Sequence, residues 1–427
     1  MELHPLKKRK ICVVVNDRAI YGRVKPVMEA IQKHPQLELQ VIAVTNFYFD
    51  HLFWYLFHGE PVSFLKALSW YIKARTTKIL GKSGEVEKLE YLPKLLIGAG
   101  FPIHARLPLF LEGGNTRVMV KSAGLGLLGI PKLFEKLKPD IVLIYADRFE
   151  SLPIAMAAAF LNIPIAHVEG GDVSGTIDES VRHAITKLAH IHFPVTEKSR
   201  QRLIRMGENP DFVFMPGFSG IDFIKSIDLG LDDDFFMRYG RGGSDNFDLH
   251  KEFLLVLYHP VTTEYDMNYE YARALCAAID KIGMQAMFVV SNLDAGSDGI
   301  SSAIREYRGR NSRPDLAFYK NFSPEDFDRV LAHASAAIGN SSSFLREGAF
   351  FGTPSVLVGS RQTGRECGPN VIEVLPEEKK IKEAIEKQLR HGRYPADTMF
   401  GDGKAGARIA EILARVNPSI QKKFYGQ

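Results

Sequence analysis

Two short apolar runs separated by a helix-length segment of small residues constrain this chain more than any other feature. Ile141 to Ala146 reads IVLIYA, with Pro139-Asp140 before it and Asp147-Arg148 after it. A continuous apolar run bounded in this way is the pattern of a strand covered on both faces in a parallel sheet. Ile163 to Val168 is a second run of the same kind, and Pro153 to Leu161 between them is apolar enough for a covered crossover helix. Asp147 and Arg148 therefore leave the end of one strand, and Glu169 leaves the next at the same edge. Open α/β sheets bind ligands at that edge, where loops and helix N-termini converge. Gly170-Gly171 allows a tight exit. Thr176-x-x-Glu179 fits a capping box, which places Asp178 in the first turn of a helix. Alone, Asp178 would be read as complementing a helix dipole. Together, Asp147, Glu169 and Asp178 around a glycine turn are candidates for acid/base chemistry.

The same alternation extends in both directions. Ile11 to Val15 predicts the first strand, and Arg18 sits in the loop after it, either as a bidentate phosphate clamp or as a solvated residue. Leu37 to Val44 predicts a second strand. Residues 47–117 read as an insertion, with helical patterns near Val62 to Ile79 and Lys88 to Ile97, and Ser122 to Leu137 resumes a clear helix. After Phe193, FVFMPGFSGID resembles a short strand and a ligand-facing or interdomain turn. Leu229 to Leu249 is rich in Asp and Gly with little periodicity, so the expected boundary divides the chain into residues 1–228 and 229–427. A second α/β series follows, with strands expected at Phe253 to Tyr258, Ala286 to Val290, Leu316 to Tyr319, Ala334 to Ile338, Ser355 to Val358 and Val371 to Val374. Glu378 to His391 and Asp402 to Val416 close the chain as helices, and the last is expected to pack back on the first domain. The expected fold class is α/β, two Rossmann-like domains with a ligand cleft between them.

The second half carries its own ligand signals. His259 ends a strand and could donate to a diphosphate oxygen. Asn292, Asp294 and Asp298 lie in a glycine-containing loop. Gly339, Asn340, Ser341 and Ser342 form a strand-to-helix turn, read either as a phosphate cradle of backbone N–H groups or as helix capping alone. Glu347, farther into that helix, can accept from ribose hydroxyls. Among 427 residues, 24% are charged and the formal net charge is +4, too small for general nucleic-acid binding, so the expected ligand is a small anion. Cys12, Cys276 and Cys367 are dispersed without metal or disulfide spacing, which points to a reducing, cytoplasmic compartment. Lys7 to Lys10 precede no signal-peptide core, and no run reaches the roughly 18 apolar residues of a membrane span, so no stable membrane insertion is expected.

These residues resemble the hydrolysing UDP-N-acetylglucosamine 2-epimerases. The matching stretches are NDRAIYG, ADRFE, HVEGGDVSGTIDESVRHAITK, PGFSGID, YHPVTTE, SNLDAGSDG, GNSSSFLREGAFFGTP and GSRQTGREC, in order over most of the chain. The resemblance implies the glycosyltransferase-B architecture and hydrolysis of UDP-N-acetylglucosamine to UDP and N-acetylmannosamine through a 2-acetamidoglucal, for sialic-acid-type sugar biosynthesis. It implies Asp147, Glu169 and Asp178 as acid/base carboxylates. Arg18, Arg148 and His259 become contacts to diphosphate and reacting sugar, and Asn292, Asp298, Ser341, Ser342, Glu347 and Arg361 the UDP-binding set. It implies no metal, no cofactor and a homo-oligomer. The chain departs from the family at Ile20, where an acidic residue is usual, and after Thr45-Asn46. A UDP-linked diacetamido sugar, a non-hydrolysing epimerase and a nucleotide-sugar-binding module without catalysis are the alternative readings.

Overall fold

The computed structural model describes residues 7–46, 91–111, 115–244, 246–289, 297–310 and 313–425. Its first six strands are β1 (Arg9–Val15), β2 (Leu37–Asn46), β3 (Ala105–Phe110), β4 (Ile141–Tyr145), β5 (Ile165–Val168) and β6 (Ile191–Phe193). They form one parallel sheet in the order β3-β2-β1-β4-β5-β6. The next six are β7 (Leu254–Leu257), β8 (Ala286–Val289), β9 (Leu316–Tyr319), β10 (Ala336–Gly339), β11 (Ser355–Val358) and β12 (Val371–Val374). They repeat the arrangement as β12-β11-β10-β7-β8-β9, again parallel. The expected α/β class, two doubly wound Rossmann-like halves, is the one found. In each sheet the winding direction reverses beside its first strand, at β1/β4 and at β7/β10. A crevice opens outside the C-terminal ends of the strands at such a reversal.

The period-two rule explains why β1 holds the centre. Ile11, Val13 and Val15 face one hydrophobic core, and Cys12 and Val14 face the other. Both faces are covered by helices, so the strand carries no polar side that could turn outward. Fully burying each such side chain contributes roughly 1.5–3 kcal/mol. Slipping the register by one residue would exchange the two cores' side chains along the whole strand.

Several expectations change. β3 was not expected: Pro108 interrupts its apolar run, and it occupies a sheet edge, where the missing N–H costs least. It lies within the stretch read as an insertion and is integral to the sheet. The Val62 to Ile79 helix falls outside the described residues, and the Lys88 to Ile97 pattern forms a helix at Tyr91–Gly98. The strand read in FVFMPG shrinks to one bridge between His192 and Val213, because Pro210–Phe212 is a tight 3-10 turn. The final helix, Ala405–Arg415, packs against the helices Tyr21–Lys33 and Ser219–Ser226 of the first half. The Asp222 carboxylate caps its start, accepting from the N–H groups of Ala405 at 3.1 Å and Gly406 at 2.8 Å. No helix among the described residues is long and apolar enough to cross a membrane.

At the second reversal, Gly339 ends β10 with φ +145°, and a Cβ there would lie 1.8 Å from the Leu257 carbonyl oxygen. Gly339→Ala should therefore destabilise the protein by about 3 kcal/mol or more, through combined strain and backbone clash. Thermal unfolding followed by circular dichroism checks this; an unchanged midpoint would show that the β7/β10 contact yields easily.

Candidate active site

One cavity of about 260 Å³ lies between the halves. The loops after β1, β4 and β5 supply one wall, and those after β7, β10 and β11 supply the other. Asp147, Glu169 and Asp178 all line it, as do Arg18, Arg148, His259, Ser341, Ser342, Glu347 and Arg361. One predicted site residue stands apart from this group. Asp298 lies exposed in the first turn of the helix Ser297–Arg310 and is not among the lining residues. Asn292 lies outside the described residues.

The strand ends that carry the carboxylates have unusual backbone. Ala146 has φ 56° and Glu169 has φ 66°, both left-handed without being glycine. Such a residue costs of order 1–3 kcal/mol and persists where its surroundings over-determine it. His167, fully buried on β5, is part of that surrounding. Its Nε2–H donates to the Ala146 carbonyl at 2.9 Å, which leaves Nδ1 to accept from the Thr186 hydroxyl at 3.2 Å. Burial pushes the imidazole down to about 4, against the hydrogen bond to Ala146, so the ring is neutral near pH 7.

Glu169 and Asp147 are each met by an arginine of their own half and by one from the other. Arg23 Nη1 donates to both oxygens of Glu169, at 3.2 and 2.9 Å, and Arg346 Nη1 from the second half donates to Glu169 Oε2 at 2.5 Å. Arg182, itself almost fully buried, donates to Asp147, and Arg365 Nη2 from the second half lies 3.6 Å from the same oxygen. Burial pushes the Glu169 carboxyl up, but Arg23 and Arg346 more than offset it and hold it below the usual carboxylate range. Burial likewise opposes ionisation of Asp147, and Arg182 and Arg365 outweigh it. Arg148 is aimed by Glu150, fully buried, whose Oε1 accepts from Nε at 2.6 Å, and it lies 3.7 Å from Asp17.

Two local predictions fail in the helices. The capping box does not form: Thr176 donates its hydroxyl to Asp178 at 3.1 Å, and Glu179 reaches past it to the Ser174 N–H at 2.6 Å. Asp178 nevertheless begins the helix Asp178–Leu188. After β10, the expected helix is replaced by a 3-10 turn, Ser342–Phe344, and a five-residue helix that Glu347 begins. Ser341 accepts from the Ser343 N–H at 3.3 Å, the capping use of this turn. Asn340 brackets the main chain of His259, accepting from its N–H at 2.6 Å and donating to its carbonyl at 2.8 Å. Sequence reasoning missed Arg23, Arg182, Arg346 and Arg365. Arg23 lies five residues beyond Arg18 and Arg346 directly before Glu347, but neither position names a partner.

Two doubly wound halves facing each other across a charged cleft define the glycosyltransferase-B architecture. The crystal structure of UDP-GlcNAc 2-epimerase from Neisseria meningitidis bound to UDP-GlcNAc shares this fold, with a TM-score of 0.72 at 15% identity, covering 96% of this chain and 100% of that one. The family model for UDP-N-acetylglucosamine 2-epimerase matches residues 89–414. The chain therefore belongs to the UDP-N-acetylglucosamine 2-epimerase family. It is 34% identical over 409 residues, 96% of each chain, to UDP-N,N'-diacetylbacillosamine 2-epimerase (hydrolyzing) of Legionella pneumophila. It is 30% identical over 428 residues, 98% of each chain, to UDP-N-acetylglucosamine 2-epimerase of Neisseria meningitidis.

The buried neutral His167 sets a pH dependence. Its folded pKa of about 4 lies below its ordinary 6.5, so between these values the unfolded chain binds a proton that the native state refuses. This contribution is fully present above pH 6.5 and is lost as pH falls toward 4, amounting to up to about 3 kcal/mol. Removing the group in His167→Gln should leave a shallower loss of unfolding midpoint between pH 7 and pH 5 than in the wild type. Parallel slopes would show that His167 does not titrate in this way.

Proposed function

We propose that this chain is a hydrolysing 2-epimerase that converts UDP-N-acetylglucosamine and water to UDP and N-acetylmannosamine. The observation that carries the reading is that Asp147, Glu169 and Asp178 line one cavity with Ser341, Ser342 and Glu347 from the other half. A nucleotide on the second wall sets its sugar against the carboxylates on the first.

In this reading a carboxylate takes the C2 proton while the C1–O bond to UDP breaks, leaving a C1=C2 double bond in the 2-acetamidoglucal. Water then adds its hydroxyl to C1, and a proton returns to C2 from the opposite face. Asp147 and Glu169 are held ionised by their arginines, the state a proton acceptor requires, and basicity rises toward that of an effective base only as a bound substrate draws those arginines away. Arg18, Arg148 and His259 at the cavity wall suit the charge that develops on the leaving diphosphate. Glu347 begins its helix at the same wall, where its carboxyl can accept from ribose hydroxyls. Arg361, beside Asn340, suits UDP binding with Ser341 and Ser342.

A second reading, the same reaction on a UDP-linked diacetamido sugar, is supported by the Legionella relative's name. Met119 and Phe149 in the cavity wall also offer apolar surface that an additional acetamido methyl group would bury.

Proton NMR in deuterated water with UDP-N-acetylglucosamine tests the proposal. The expected products are free UDP and N-acetylmannosamine deuterated at C2. UDP-N-acetylmannosamine would instead establish the non-hydrolysing reaction, and turnover only of the diacetamido sugar would establish the second reading. Binding of both nucleotide sugars without turnover of either would leave a binding module. Glu169→Gln should bind UDP within about threefold of wild type yet lose about 100-fold or more in turnover. Near-normal turnover would remove Glu169 from the chemistry.

A further inference from the structure

The loop leaving β5 carries a carboxylate that the cavity does not use. Asp172 follows Glu169 by three residues and is not among the lining residues. Between them Gly171 has φ +79°, and a Cβ there would lie 2.4 Å from the Ser199 carbonyl oxygen, so the path of the turn is fixed by close backbone approach.

Asp172 touches each of three arginines that reach the site carboxylates. Its Oδ2 accepts from Arg346 Nη2 at 2.7 Å and lies 3.6 Å from Arg365 Nε, while its main-chain carbonyl accepts from Arg182 Nη1 at 2.8 Å. The other arms of the same guanidinium groups point onward. Arg346 Nη1 reaches Glu169 at 2.5 Å, Arg365 Nη2 lies 3.6 Å from Asp147, and Arg182 Nη2 donates to Asp147. A guanidinium is a rigid planar fork, so holding one arm sets the direction of the other.

We infer that Asp172 is a positioning residue, which aims Arg346 of the second half at Glu169 of the first; Arg365, whose Nε donates to the neighbouring Val173 carbonyl at 2.9 Å, is held by that carbonyl instead. Asp172 belongs to the first half, so Arg346 acquires this aim only when the halves meet. Opening the cleft would part Arg346 from its anchor and from Glu169 together. A plain interdomain ion pair would stabilise the closed form and nothing more. The forked arrangement couples closure to the charge environment of the reacting groups. The effect on turnover rests on the epimerase reading above, whereas the aiming does not.

The test uses the full chain with Asp172→Asn, which keeps the shape and an acceptor oxygen but not the charge. Two quantities are read at a temperature where both proteins are fully folded: kcat on UDP-N-acetylglucosamine and its diacetamido counterpart, and water exchange of the Arg346 Nη–H groups by 1H–15N NMR, assigned with Arg346→Lys. The expected result is a fall in kcat of about tenfold to a hundredfold, with about tenfold faster Nη–H exchange at Arg346. A merely structural role would lower the unfolding midpoint and leave both quantities unchanged in the folded protein. Wild-type kcat or wild-type exchange in Asp172→Asn would overturn the inference. If the wild type turns over neither sugar but exchange responds as expected, the epimerase reading fails and the positioning role stands. Should Asp172→Asn not fold, Asp172→Glu, longer by one methylene, replaces it: a fall in kcat of about threefold or more with faster exchange is expected, and wild-type values would again overturn the inference.

Discussion

Neutralisation of buried carboxylates governs the arrangement of the cleft. Asp147, Glu169 and Asp172 are met by Arg23 and Arg182 from their own half and by Arg346 and Arg365 from the other. A carboxylate left alone in such a place carries an effective desolvation penalty of several kcal/mol, and breaking one buried pair typically costs about 3–5 kcal/mol. The penalty is visible within the network. Burial pushes Arg365 down to about 10, despite Asp172 and Asp147, whereas for Arg346 the pull of Glu169 and Asp172 overcomes burial and raises it. Ion pairs of this kind are weak evidence for stability, since apolar residues of similar size often serve as well. Their geometry has a different consequence: it specifies one relative placement of the halves, because few other placements would satisfy every charge.

The backbone brings the charges to that placement. Because both sheets wind as 3-2-1-4-5-6, each half has a single reversal, and the functional loops all leave beside it. Ordinary extended backbone would carry the chain straight off β4 and β5. The left-handed residues Ala146 and Glu169 instead turn it within one peptide of each strand end. His167 links the two turns to the helix Asp178–Leu188 through Ala146 and Thr186, so three segments that carry acidic residues share one buried imidazole. The strain is confined to the place where it re-aims side chains.

Legibility in the sequence followed the physics of each feature. Strands with two covered faces were readable because an unbroken apolar run of four to six residues, bounded by Pro, Asp or Gly, is too short for a core helix and too apolar for a loop; β9 and β11 have the limits that their runs predict. β3 was not readable, because an edge strand tolerates Pro108 and needs only partial apolarity. The acidic residues at strand ends and the serines after β10 were placed at one edge by topology alone, and they do line one cavity. The arginines that neutralise them were illegible, since partners separated by 177 residues, such as Glu169 and Arg346, leave no local pattern. Capping was misread for a related reason. Thr176 and Glu179 had the right spacing, but Asp178 and the Ser174 N–H offered each a closer partner.

The return of the last helix completes the mechanical picture. The chain passes into the second half after the helix Ser219–Ser226 and comes back before Ala405–Arg415, which packs on that helix and on Tyr21–Lys33. Two crossings on one side leave the halves free to hinge but not to separate. On the cleft side the contacts are thin. The Gly175 N–H donates to the Arg361 carbonyl at 3.1 Å, Thr263 donates to the Gly175 carbonyl at 3.3 Å, and Arg365 Nε donates to the Val173 carbonyl at 2.9 Å. A Cβ on Gly175 would come within 2.0 Å of the Ser360 carbonyl oxygen, so only a bare backbone passes there. These contacts are polar, and the apolar packing between the halves lies instead where Phe218, Ile221 and Ile224 meet Ala349 and Phe400.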